Sequence, residues 1–210
     1  MTSTDDLISS LASTAGTQRN ISLQAAFAVA GAISLACALL LVFSVFGVRE
    51  DLADMAVRMP FGFKIACTAA LVIGSSIVTL YAATPGASAT TLSALSPAVI
   101  FLAYGVLLDP TAFPIMGRTD TAVAICVGRI LFLSVPALIL TFLVVKRRGA
   151  PTQPLFAGAA IGMLSASIGA MAYTLACRND GAAFVAIWYG TAGAIMAGIG
   201  AVVGHRVLRW

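Results

Sequence analysis

The chain has 210 residues, of which 60% are hydrophobic and only 10% are charged, and its net charge is +4. This composition excludes a sizeable soluble domain and predicts one helical membrane domain surrounded by lipid. The modest positive charge is typical of basic helix flanks, whereas a nucleic-acid surface needs Lys and Arg clustered on a folded face. No direct nucleic-acid partner is therefore expected.

The first 20 residues, 1–20, are more polar and form a separate cytoplasmic head in front of the apolar chain. The stretch 3–12 has the pattern of a short amphipathic helix, with two acids in its first turn and three large apolar residues on one face. Such a helix orders only against a partner or the bundle, so we predict that it docks in a groove of another protein. A frayed tail is the alternative. The candidate partner-binding residues are Asp5, Asp6, Leu7, Ile8 and Leu11.

Six apolar stretches follow within residues 21–210, and a helix needs about 20 such residues to cross a bilayer. They predict an all-α integral membrane protein, a bundle of six transmembrane helices preceded by the short cytoplasmic helix. The third stretch is the shortest and contains Pro97, which neighbouring helices can accommodate. The predicted helices cover residues 22–47, 62–83, 92–108, 122–145, 154–176 and 183–205.

Charged residues are scarce in these stretches, and no acidic residue lies in any of their interiors. Lys64 lies near the start of the second helix, where its long side chain is expected to reach the membrane surface. Arg129 lies deeper, in the fourth helix. We predict that it faces the bundle as a structural anchor directed toward Asp120.

The Lys and Arg residues near the helix ends predict the orientation, because cytoplasmic loops carry an excess of them. Six lie on the side of the N-terminus and four on the other side, or six on each side when Lys64 and Arg129 are counted. The densest cluster, at 146–148, is on the first side and breaks the tie. Both termini are therefore predicted in the cytoplasm. The loops near 48–61, 109–121 and 177–182 then face outward.

Three of the four cysteines, Cys67, Cys126 and Cys177, lie toward the outer side in this topology. Disulfides persist in an oxidising compartment and thiolates bind thiophilic metal ions, so Cys126 and Cys177 are candidate redox or metal sensors. A bond between them needs Cα atoms within about 7 Å. A role as small hydrophobes is the equal alternative for this pair and the preferred interpretation for Cys37. The single histidine, His205, lies at the opposite face, so no zinc site is indicated.

The sequence has no nucleophile with a neighbouring base, no nucleotide-binding glycine motif and no pair of intramembrane carboxylates. The chain is therefore predicted not to be an enzyme and to need no cofactor. Glycines four residues apart, at 158 and 162 and at 200 and 204, predict close helix packing within the bundle. Dimerisation through such residues is the alternative, and the sequence leaves the oligomeric state open.

Eight short segments spread along the chain carry a further pattern. They are Thr4-Asp5-Asp6-Leu7-Ile8 with Leu11, Val48-Arg49-Glu50-Asp51-Leu52, Phe63-Lys64, Cys126 with Pro136, Arg147-Arg148-Gly149-Ala150-Pro151-Thr152, Cys177 with Asp180, Phe184-Val185-Ala186-Ile187-Trp188-Tyr189-Gly190, and Gly204-His205-Arg206-Val207-Leu208-Arg209-Trp210. In this order and spacing they resemble the NrsF-type bacterial membrane proteins, negative regulators of extracytoplasmic-function (ECF) sigma factors. The resemblance is most specific over 126–210, and 85–121 carries no signature of it.

The resemblance implies a six-helix anti-sigma factor in the bacterial inner membrane, with both termini in the cytoplasm. Its head would hold an ECF sigma factor at the membrane, away from RNA polymerase. Stress sensed near the outer face, either thiol oxidation or a heavy metal, would release the sigma factor. By analogy, Cys126 and Cys177 match the sensor cysteines of the family.

Two other functions remain open from the residues alone. A small transporter or metal exporter would use the thiols as a path and the proline-containing third helix as a gate. The absence of acidic residues in mid-membrane counts against it. A structural subunit of a larger membrane complex would use the faces of small residues as contacts.

Overall fold

The computed structural model describes residues 4, 6, 8, 9, 22–56, 58–85, 89–109, 114–117 and 123–209. These residues form helices and no strand, which confirms the all-α prediction. Along the chain the helices are α1 (Leu23–Phe46), α2 (Leu52–Ala56), α3 (Met59–Ala82), α4 (Ser96–Leu107), α5 (Val123–Arg148), α6 (Pro154–Tyr173) and α7 (Ala182–Val207).

Within the described part of the chain, α1, α3, α5, α6 and α7 are long and apolar enough to cross a membrane. Their ends lie within three residues of the predicted ones. The third predicted span differs, because a 3-10 helix, Ala89–Leu95, precedes a short α4. Pro97 lies in the first turn of α4, where a backbone N–H would have no acceptor within the helix, so the N–H that proline lacks is not missed. The described residues therefore contain five long spans, where six were predicted.

The head is described only at Thr4, Asp6, Ile8 and Ser9, which have helical backbone. The Ser9 hydroxyl donates a hydrogen bond to the Asp6 carbonyl at 3.0 Å. Ile8 is exposed, with 59% of its surface accessible. The candidate residues Asp5, Leu7 and Leu11 lie outside the described residues, so the cytoplasmic helix and its apolar face remain predictions.

Helix α6 is the centre of the bundle, because 14 of its 20 residues are buried. Its glycines face those of α7. A Cβ placed on Gly204 would lie 2.6 Å from the Cα of Gly158, and one on Gly162 would collide with the Met196 carbonyl. The two backbones therefore touch, which confirms that the spaced glycines serve packing within the bundle.

Helix α1 lies at the edge of this bundle and packs mainly on α5. Its last turn, Val42–Phe46, is π-helical and ends at Gly47, whose φ of 75° is in the region that favours glycine. The chain then turns back through α2 into α3. This connection brings Arg49 over the end of the bundle where α5 begins and α6 ends.

Candidate thiol and ion-pair site

A buried carboxylate, Asp180, lies in the segment between α6 and α7 and binds two cations. Arg49 Nη1 donates to its two oxygens at 2.9 and 2.8 Å, and Lys64 Nζ donates to Oδ1 at 3.2 Å. The three side chains are at most 1% exposed. Buried charges are costly unless they are paired, so these contacts fix three parts of the chain against one another.

Asp51 completes the set, which we call the Asp180 cluster: Arg49, Asp51, Lys64 and Asp180. Its carboxylate accepts from Arg49 Nε at 2.7 Å and from Arg49 Nη2 at 2.9 Å. Two cations and two anions therefore balance. Hydrogen bonding with Arg49 lowers the pKa of Asp51 from 3.8 to about 2, and the Asp51 and Asp180 carboxylates raise the pKa of Arg49.

The same cations bind the backbone beside the thiol of Cys177. The Cys177 carbonyl accepts from Lys64 Nζ at 2.9 Å and from Arg49 Nη1 at 3.1 Å, and the Asn179 carbonyl accepts from Lys64 Nζ at 3.0 Å. In addition, the Arg49 amide donates to the Leu175 carbonyl at 3.1 Å. Side-chain and backbone hydrogen bonds from the connection between α1 and α3 therefore hold the segment that follows α6.

The prediction that Lys64 reaches the membrane surface is wrong. Its side chain is 0% exposed, and its ammonium group donates to the Cys177 carbonyl, the Asn179 carbonyl and the Asp180 carboxylate. An ammonium group has three N–H donors, and these contacts use all of them. A carboxylate supplied by a distant part of the chain made burial more favourable than exposure.

The two candidate sensor thiols lie side by side next to the cluster. Cys126, in the first turn of α5, and Cys177, four residues after the end of α6, are both free and 0% exposed. The Tyr173 hydroxyl donates to Cys126 Sγ at 3.5 Å, and Asn179 Nδ2 lies 4.0 Å from the same sulfur. The two thiols are close enough to influence each other's ionisation.

This environment favours the ionised form of Cys177. Its hydrogen bond with the Cys126 thiol, and next the positive charge of Lys64, lower the pKa of Cys177 well below its usual value in spite of burial. The thiolate is the nucleophilic and metal-binding form of cysteine. The Cys177 Sγ also lies 3.7 Å from the Asn179 carbonyl oxygen, to which its protonated form donates.

Tyr189 adds a polar atom to the same site. Its hydroxyl is buried beside the Cys177 thiol but makes no hydrogen bond of normal length within the described structure. Its ring lies against the Lys64 ammonium, 5.9 Å from the ring centre. Tyr189 ends a second π-helical turn, Val185–Tyr189, in α7. π-Turns often occur at functional sites.

Other residues singled out from the sequence lie apart from this site. Cys67 packs with Leu71 and Ala98. The Arg129 guanidinium lies over the Phe46 ring, 5.1 Å from its centre, and its proposed partner Asp120 lies outside the described residues.

No group of three or more His, Cys, Asp and Glu that could hold a metal ion occurs in the part of the chain that the structure describes. The two thiols alone offer soft sulfur ligands, which suit thiophilic ions.

Sequence reasoning did not find the Asp180 cluster. The predicted topology placed Arg49, Lys64 and Asp180 at one end of the bundle, and that shared end was the available signal. The partners are 131 and 116 residues apart, so no local spacing indicates that they meet.

The fold and the site define a helical bundle suited to a membrane, with two adjacent thiols beside a buried ion-pair cluster. The sequence profile of the family described as NrsF, negative regulator of sigma F, matches residues 11–210. The chain therefore belongs to the NrsF family, as the resemblance indicated.

Two relatives named as anti-sigma factors align with the chain over almost its full length. The "Probable anti-sigma-F factor NrsF" of Azospira oryzae is 33% identical over 99% of both chains. The "Anti-sigma-F factor NrsF" of Caulobacter vibrioides is 30% identical, also over 99% of both. These names describe regulators rather than enzymes. No solved structure matches the chain.

Proposed function

We propose that the chain is an inner-membrane anti-sigma factor that binds an ECF sigma factor through its cytoplasmic head and releases it when thiols near the outer face are modified. Membership of the NrsF family supports the anti-sigma role. The adjacency of Cys126 and Cys177 is the observation that supports thiol sensing. Family membership also makes transport the weaker alternative, because both relatives are named as regulators.

We further propose that the segment 89–107 completes a sixth crossing, so that both termini lie on the cytoplasmic side. Ala83, just after α3, accepts a hydrogen bond from the Ala150 amide at the end of the bundle where α5 ends and α6 begins. The chain returns at the opposite end, where α5 starts. The 3-10 helix and α4 together rise about 32 Å, which is close to the hydrocarbon thickness of about 30 Å.

Contacts along this segment support the crossing. A Cβ on Gly74, midway along α3, would lie 2.6 Å from the Ala94 carbonyl. Further on, a Cβ on Gly105 would lie 2.7 Å from the Ala182 carbonyl at the start of α7. The segment therefore passes Gly74 of α3 on its way to the end that holds Asp180.

The chemistry of release follows from the pairing of the thiols. With a peroxide as oxidant, the Cys177 thiolate attacks one oxygen, forming a sulfenic acid and releasing hydroxide. The Cys126 thiol then loses its proton and attacks the Cys177 sulfur. It displaces hydroxide, which takes up the proton to give water and leaves a disulfide. A thiophilic metal ion would instead be held by both sulfurs as thiolates, with Cys126 giving up its proton.

The size of the required effect is set by the population change. Shifting the complex from 99:1 bound to 1:99 needs about 5.5 kcal/mol of difference between the two thiol states. A new disulfide or two metal–sulfur bonds can supply energy on this scale. The change must then reach the head at the other end of α1.

Co-purification tests the docking role of the head. The full-length chain should retain the sigma factor after solubilisation, whereas a chain lacking residues 1–18 should lose it. Leu7→Asp with Ile8→Asp should also lose it, because charge on the docking face opposes burial. Ser9→Asp adds a charge to the opposite face of the predicted helix and should retain the sigma factor. Retention by the Leu7/Ile8 variant would contradict docking through this face.

A reporter driven by the sigma factor tests the thiols. Cys126→Ser and Cys177→Ser should each keep repression but abolish induction by peroxide or a thiophilic metal. Neither variant has the two sulfurs that a disulfide or a two-thiolate metal site requires. Cys37→Ser and Cys67→Ser are the matched controls and should respond as the wild type does. Normal induction of the Cys126 and Cys177 variants would exclude them as the sensor.

A further inference from the structure

We propose that the Asp180 cluster is a latch that holds the end of α1 to the thiol-bearing segment and frees α1 when that segment moves. This inference rests on the proposed function, because it describes how modified thiols would act on the head. The cluster lies between the thiols and the end of α1. Cys177 and Asp180 are on one side of it, and the connection between α1 and α3 is on the other. Lys64 and Arg49 bind both Cys177 and Asp180.

The Cys177 residue connects thiol chemistry directly to the latch. Its carbonyl accepts hydrogen bonds from both Arg49 and Lys64, at 3.1 and 2.9 Å. Pulling its sulfur onto Cys126 changes its side-chain torsion and displaces this backbone. Both cations are buried, and Lys64 already uses all three of its N–H donors, so a shift of the Cys177 carbonyl breaks or lengthens existing hydrogen bonds. The Arg49 contacts are then the ones that connect the shift to α1.

The end of α1 is built to respond. Arg49 follows the π-turn Val42–Phe46 by three residues, with Gly47 between them. Each hydrogen bond of a π-turn spans one residue more than in an α-helix, so a return to α-geometry displaces the chain beside it. The contacts of Arg49 with Asp180 and the Leu175 carbonyl oppose that return.

Helix α1 is also lightly held along its length. Its α-helical part buries only Phe27, Ala30, Ser34 and Ala38. Most of its other side chains face outward, toward lipid. Movement of the helix would exchange one set of lipid contacts for another at little cost in free energy. At its outer end, Ala38 and Val42 are buried in the apolar core around Cys126 and Tyr173. The latch adds the polar contacts that hold the residues just beyond this packed end, and the head is joined to the inner end.

Hydrogen–deuterium exchange on the purified full-length chain in nanodiscs, without sigma factor, tests the latch. The charge-balanced double variant Lys64→Met/Asp180→Asn removes one cation and one anion and leaves Arg49 with Asp51. Amides of residues 47–52 should exchange about tenfold faster or more, as expected for the loss of one charge-assisted hydrogen bond. Residues 154–173 should stay protected, which shows that the bundle is intact.

Two further samples complete the experiment. Glu50→Gln changes an exposed residue of the same connection, 3.8 Å from Arg178, and should exchange as the wild type does. Arg49→Lys keeps the charge but loses the two-point contact with each carboxylate, so a smaller rise is expected. Unchanged exchange at 47–52 in the double variant would overturn the latch.

Peroxide-treated wild type separates the latch from the proposed function. A Cys126–Cys177 disulfide, seen by mass spectrometry, should raise exchange at 47–52 as the double variant does. A disulfide that leaves these residues protected would overturn the latch. If no disulfide forms, the proposed thiol sensing fails instead, and the double variant still decides whether the cluster holds α1.

Discussion

Helices α6 and α1 are both apolar enough to cross a membrane, yet they differ in how they are held. In α6, 72% of the most apolar 18-residue stretch is buried, against 28% in α1. Small residues let α6 touch α7 backbone to backbone, whereas α1 turns large side chains such as Leu40 and Phe43 outward. The comparison indicates a fixed frame of α6 and α7 and a peripheral α1 joined to it by few contacts.

Breaking the ion pair between the two regions should have the largest effect on stability. Asp180→Ala leaves Lys64 buried without an anion and Arg49 with Asp51 alone, which should cost about 3–5 kcal/mol. Thermal unfolding in detergent would measure this loss. Arg178→Ala removes only an exposed contact with Glu50 and should change stability by less than about 0.5 kcal/mol. Equal losses in the two variants would contradict the buried role of Asp180.

Substituting one glycine in each helix sharpens the comparison. Gly162→Ala places a methyl group against the Met196 carbonyl and should destabilise the bundle by about 1–3 kcal/mol. Gly31→Ala in α1 meets nothing within 4 Å and should cause no loss. The same unfolding assay compares them. A loss at Gly31 as large as that at Gly162 would show that α1 is packed as tightly as α6.

The smallest expected effect is a pH dependence at the α1 side of the cluster. The hydrogen bond with Arg49 lowers the pKa of Asp51 from 3.8 to about 2 in the folded chain. The carboxylate therefore stabilises the fold above pH 3.8, and this contribution disappears as the pH falls toward about 2. Comparing unfolding of the wild type and Asp51→Asn over that range should show their difference shrinking with acid. A constant difference would contradict the pairing.

Hydropathy predicted most of this fold because lipid imposes long apolar helices on the sequence. The spacing of Gly158 and Gly162 also predicted close packing within the bundle, and the structure shows that the partner helix is α7. The third span was predicted as one continuous helix, but it is a 3-10 helix followed by the short α4. Composition alone does not distinguish these two forms.

The site was only half predictable. Chemistry selected Cys126 and Cys177, because few residue types sense oxidants or soft metals. The predicted exposure of Lys64 was wrong, because a lysine near a helix end is buried or exposed according to whether an anion is within reach. That anion, Asp180, is 116 residues away in the sequence, and its approach depends on tertiary packing.

The charge balance of the Asp180 cluster has an electrical consequence. An unbalanced charge that moves through the membrane field does work of about 2.3 kcal/mol per 100 mV, which makes its movement sensitive to voltage. The four charged side chains of this cluster sum to zero. Moving these four side chains together transfers no net charge, so the membrane potential would do no net work on the proposed latch.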